Sequence, residues 1–184
     1  MMQPIQREPT RLRIPGKTLI VVAEPHGYTH AIASTIALRM RSGGHRVDVS
    51  DIHVARGLQP EDYDAVILGT EAGRRRDRHM ICDYIASHRA PLQKVPTGLF
   101  VVCNSRTSRS DPQHFIESLE DRVGWRARFA AAFSFGAFGR TRYLVRRLLL
   151  ASLRQIDGSI ANRATRELVE LADALTNELA KPRR

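Results

Sequence analysis

Three short apolar runs constrain this chain more than any other feature: TLIVVA at 18–23, DAVILG at 64–69 and TGLFVVCN at 97–104. They are continuous and rich in β-branched residues, as strands are when a parallel sheet buries them on both faces. HRVDVSDI alternates and reads as another strand, and ARFAAAFSF at 127–135 as a fifth. Helical patterns separate them. After Thr29 the apolar positions Ile32, Ile36 and Met40 recur every four residues until Gly43-Gly44 stops the helix. Residues 80–88 read as a short helix, and 112–123 as a helix with proline at its start. Helices are also expected over 142–155 and 162–179. This alternation specifies an α/β fold: a doubly wound five-stranded parallel sheet of order 2-1-3-4-5 with helices on both faces.

The 184 residues suit one domain with a full core. Residues 1–17 hold three prolines and no apolar period, so a disordered basic arm is expected there. The folded domain is read over 18–180, with a basic tail at 181–184. The net charge is +10. It is concentrated in the arm, the tail and the arginines at 140, 142, 146, 147 and 154, which leaves the rest of the domain near neutral. A basic nucleic-acid face is therefore not expected, whereas attraction to an anionic surface through appendages is. No apolar run is long enough to span a bilayer, and no secretory leader is read at the N-terminus. Cys82 and Cys103 lack metal-ligand spacing and are expected as reduced thiols; no metal site is expected.

In a doubly wound sheet, ligands bind beyond the carboxyl ends of the strands, at the switch point beside strand 1. Three loops converge there: 24–28, 70–79 and 104–111. The first, within VVAEPHGYTH, has Gly27 for a turn of positive φ, and Thr29 either to cap the following helix or to donate its hydroxyl to an anion. A helix start of this kind favours a phosphate. Glu24 opposes one: a carboxylate about 5 Å away costs roughly 1–2 kcal/mol per unit of phosphate charge unless it turns out to solvent. Pro25 removes a donor, and His26 can restore one. In the second loop Gly69 and Gly73 are expected to let backbone approach a ligand closely. Arg74, Arg75, Arg76 and Arg78 crowd the same loop, either as a solvated surface or as a carboxylate-binding patch. His79 and His114 are acid–base candidates only by residue type.

With these loops in place, the chain resembles the flavodoxin superfamily. Within it, KTLIVVAEPHGYTHAIA, EDYDAVILGTEAG, the GLFVVCN strand and FGRTRYLVRRLLLASLRQIDG resemble the bacterial menaquinone-dependent protoporphyrinogen oxidases from about residue 17 to 179. The last segment is the discriminating one, because short-chain flavodoxins have no basic amphipathic insertion after the fifth strand. Here the insertion is expected at about 138–160. The resemblance implies FMN held by His26, Gly27, Tyr28, Thr29, Thr70, Glu71, Ala72, Gly73, Asn104 and Ser105. It implies tetrapyrrole carboxylates met by Arg74, Arg75, Arg76, Arg106 and Arg109. It also implies an anionic membrane met by Arg142, Leu144, Val145, Arg146, Arg147, Leu148 and Leu149, an arrangement that suits an interfacial helix. The activity implied is oxidation of protoporphyrinogen IX to protoporphyrin IX with a membrane quinone as acceptor, in haem biosynthesis. The implied location is cytoplasmic, peripheral at the inner face of the cell membrane. A homo-oligomer is compatible with it, and no catalytic residue is assigned. Two alternatives stand beside this one. One is a flavodoxin-like domain that has lost FMN and serves as a membrane-associated binding module; the other is an FMN electron carrier or quinone reductase with a different donor.

Overall fold

The computed structural model describes residues 16–104 and 112–135. In chain order these form β1 (Lys17–Val22), α1 (Tyr28–Ser42), β2 (Arg46–Asp51), α2 (Ile52–Ala55), a 3-10 turn (Pro60–Asp62), β3 (Ala65–Ala72), α3 (Arg75–Ser87), α4 (Arg89–Lys94), β4 (Thr97–Asn104), α5 (Pro112–Val123) and β5 (Phe129–Phe135). All strands run parallel in the order β2-β1-β3-β4-β5. The expected α/β sheet and its strand order are therefore observed. The helices expected at 142–155 and 162–179 and the insertion at 138–160 lie outside the described residues, as do the basic tail and most of the N-terminal arm.

The core explains why the strands read as unbroken apolar runs. Leu19 and Val21 of β1 join Val66 and Leu68 of β3 on one face, under Ile81, Tyr84 and Ile85 of α3 and Ile116 and Leu119 of α5. Ile20 and Val22 join Ile67, Phe100 and Phe133 on the other, under Ile32, Ile36 and Met40 of α1. Central strands thus need apolar side chains at every position, not at alternate ones.

Several boundaries differ from the sequence reading, and three have a clear physical cause. Lys17 belongs to β1, not to the arm: its N–H donates to Asp64 Oδ2 at 2.8 Å and its ammonium lies 4.3 Å from the Tyr63 ring centroid. β3 continues past Gly69 through Thr70, Glu71 and Ala72, because its ladder with β4 runs on to the pair Ala72–Cys103. α3 begins at Arg75 instead of residue 80, so Arg75 and Arg76 sit in a first helical turn and not in a loop. The short helices α2 and α4 have too few residues to show an apolar period.

Candidate functional site

The carboxyl ends of β1, β3 and β4 lie side by side, with Val22 paired to Gly69 and Ala72 to Cys103. The loop after β1 turns at Gly27, whose φ is +89°. A residue with a Cβ is strained at that angle, so the glycine the sequence placed there is required. α1 starts directly after it. Gly27 occupies the N-cap position, no side chain caps the helix, and its first turn holds no acidic residue. Thr29 is therefore not the cap: it lies inside the first turn, 2% exposed. A helix start left without a side-chain acceptor fits an anion. His26 and Gly27 are exposed beside it, and Tyr28 packs partly buried against the α1 side of the core.

Glu24 does not turn out to solvent. Its Oε2 accepts from Arg74 Nη1 at 2.6 Å and lies 3.8 Å from where a Cβ on Gly27 would stand. Arg74 Nε lies 3.3 Å from Glu71 Oε2. Arg74 is thus held by two carboxylates, not open to a ligand, and its pKa is raised, chiefly by the hydrogen bond to Glu24. Glu71 is 4% exposed and Asp77, in the first turn of α3, is 6% exposed. Burial, then the nearby Glu24 charge, push the Asp77 carboxyl above its ordinary pKa. One carboxylate oxygen from each of Glu24, Glu71 and Asp77 falls within 4.8 Å of the others. Sequence reasoning missed Asp77 altogether: an aspartate among arginines looks like a solvated surface.

Of the other expected ligand residues, Thr70 and Ala72 are buried in β3 and Gly73 is exposed with φ +95°. Gly69 has a different purpose from the one expected. It pairs with Phe100 in the β3–β4 ladder, and a Cβ on it would stand 2.2 Å from Phe100 Cζ, so its missing side chain makes room for a core ring and not for a ligand. Arg75 and Arg76 are exposed, as are His79 and His114. Asn104 ends β4; Ser105, Arg106, Arg109 and the membrane-facing set from Arg142 to Leu149 lie outside the described residues. Neither Cys82 nor Cys103 is in a disulfide.

The Flavodoxin domain family matches residues 19–161, most of the chain. The chain belongs to the flavodoxin domain family. The protoporphyrinogen IX dehydrogenase (quinone) of Escherichia coli (strain K12) is 28% identical to it over 86 residues, which is 47% of this chain and 48% of that protein. The same protein of Escherichia coli O157:H7 matches to the same extent. This flavodoxin-family chain therefore spans about half the length of the curated relatives it matches. Among solved structures, the flavodoxin of Streptococcus pneumonia TIGR4 superposes with a TM-score of 0.59 at 17% identity, covering 88% of this chain and 99% of that one, a likeness of fold. No helix among the described residues is long and apolar enough to cross a membrane.

Proposed function

We propose that this flavodoxin-family chain is an FMN-dependent oxidoreductase that oxidises protoporphyrinogen IX to protoporphyrin IX and delivers the electrons to a membrane quinone. The observation that carries the reading is the open start of α1 at Gly27, an uncapped helix end at the switch point of the sheet. The partial match to the Escherichia coli dehydrogenase supports a redox role, and the substrate proposed is the one that relative is named for. The N–H groups after Gly27 would receive the FMN phosphate, with His26 as an added donor, and Gly73 and Asn104 would border the ring. FMN, when bound, supplies the electron chemistry. The protein positions and charges the site. Arg75 and Arg76, exposed at the start of α3, suit the propionates of a tetrapyrrole. The arginine- and leucine-rich segment from Arg142 to Leu149 suits an anionic membrane surface in which a quinone dissolves.

The experiment is the absorbance spectrum of the full chain, as purified and after incubation with FMN, followed by anaerobic mixing with protoporphyrinogen IX. A flavin band near about 450 nm that bleaches with the substrate and returns with a quinone is expected. A chain that binds no flavin under either condition overturns the reading.

One observation favours a second reading. The Glu24 carboxylate lies beside Gly27, where a phosphate would sit. A flavodoxin-like domain that has lost FMN and acts as a binding module accounts for it. Sub-micromolar FMN binding by calorimetry would remove that reading.

A further inference from the structure

Glu24, Glu71 and Asp77 come from the loop after β1, the end of β3 and the first turn of α3. Among the described residues they are the one group of acidic, histidine and cysteine side chains whose ligand atoms converge this closely. Their mutual limit of 4.8 Å is the span across a hard divalent ion, whose oxygen ligands stand at about 2.1–2.4 Å from its centre. The three oxygens are near enough to one another for a single ion to bridge them.

A second observation is independent of the clustering. Asp77 is 94% buried, being 6% exposed, yet its Oδ2 has no hydrogen-bond partner. Buried carboxylate oxygens without a partner are costly, and a cation is one of the few groups that removes the cost. Charge points the same way. Arg74 is held against Glu24 and Glu71, and Arg76 also acts on Asp77, so two positive charges face three carboxyl groups. The Arg74 side chain is 48% exposed, so it can swing outward.

From this geometry we infer that Glu24, Glu71 and Asp77 form a binding site for a hard divalent cation of the Mg2+ or Mn2+ class, with Arg74 as the resident countercharge that the ion replaces. Three carboxylates and no nitrogen or sulfur ligand select such ions over zinc or copper. The sequence reading expected no metal because the ligands lie far apart in the chain and only the parallel ladder brings them together.

The test is a Mn2+ titration of the full chain, stripped with EDTA and free of flavin, followed by the loss of the free-ion signal in electron paramagnetic resonance. No step involves FMN, so the outcome is separate from that of the proposed redox function. The expected result is a single Mn2+ per chain at sub-millimolar affinity, weakened about tenfold or more by Asp77→Asn and by Glu24→Gln. Arg74→Gln is expected to tighten binding, since it removes the competing charge. Glu24 is on a loop, so its variant serves if Asp77→Asn does not fold, with circular dichroism to check each. Absence of binding in both the wild type and Arg74→Gln overturns the inference, as does binding that survives Asp77→Asn and Glu24→Gln unchanged.

Discussion

Arg74 Nη1 lies 2.6 Å from Glu24 Oε2, so the loop after β1 is tied to the residue that opens α3. The same guanidinium reaches Glu71, a buried residue of β3, through Nε. Exposed ion pairs contribute only about 0–1 kcal/mol. This one neutralises a carboxylate that water cannot reach, and losing one partner of such a pair costs more than the pair is worth. Solvent screens Arg74 itself, which moderates the effect. Arg74→Ala is therefore expected to lower the unfolding free energy in urea, measured in EDTA, by about 1 kcal/mol. Adding Glu71→Gln to that variant should recover part of the loss. Additive effects of the two changes would show that the residues do not interact.

Asp77 carries a pH dependence whose sign follows from its raised pKa. The folded chain holds the Asp77 proton more tightly than the unfolded chain does. As pH rises from the ordinary carboxylate range through the raised value, the unfolded state binds fewer protons and stability falls. The cost grows as pH rises toward neutral. Asp77→Asn removes it, so in EDTA the variant should melt above the wild type at pH 7. The difference should vanish below the carboxylate range. A constant difference from acid to neutral pH would assign the effect to packing instead.

The buried strands were legible because sheets covered on both faces permit few polar residues. β4 matches its reading at both ends, and α5 starts at the proline that marked it. Legibility failed where charge took over from the apolar pattern. Glu71 looks like a loop residue but is a strand residue, because the ladder to β4 passes through it and Arg74 neutralises it. α3 was read five residues late because its first turn is almost all charged and its buried apolar positions start at Ile81. The turn that starts α1 was legible from Gly27, since a positive φ leaves few other choices. The carboxylate cluster was not: residues 24, 71 and 77 share no local pattern.

Gly69 is expected to resist substitution for a reason of packing. A Cβ there would meet the Phe100 ring at 2.2 Å, and that ring is fully buried with an edge contact to Phe133 at 6.3 Å between centroids. The ring packs in the core under α1, so moving it disturbs its neighbours. Gly69→Ala should cost about 1–3 kcal/mol or more in urea unfolding. Phe100→Leu in the same chain frees the contested space, so the double variant should lose less than the sum of the two single changes. Simple additivity would mean the clash is relieved elsewhere.

The loop at Glu24–Gly27 gives opposite expectations for two neighbouring side chains in FMN binding. Glu24 places negative charge beside the helix start and engages Arg74 there. Glu24→Gln removes the repulsion and frees a guanidinium to face the phosphate. Affinity should rise roughly tenfold, the equivalent of about 1.4 kcal/mol. His26 is exposed next to Gly27 and is the side chain placed to replace the donor that Pro25 lacks. His26→Ala should weaken binding several-fold, about the 0.5–1.5 kcal/mol of one hydrogen bond. Quenching of flavin fluorescence on titration reads both. Because Glu24 acts through charge and His26 through a hydrogen bond, the Glu24→Gln gain should shrink as salt is raised and the His26→Ala loss should change much less. Equal salt dependence would place both effects on the fold of the loop instead of on the ligand.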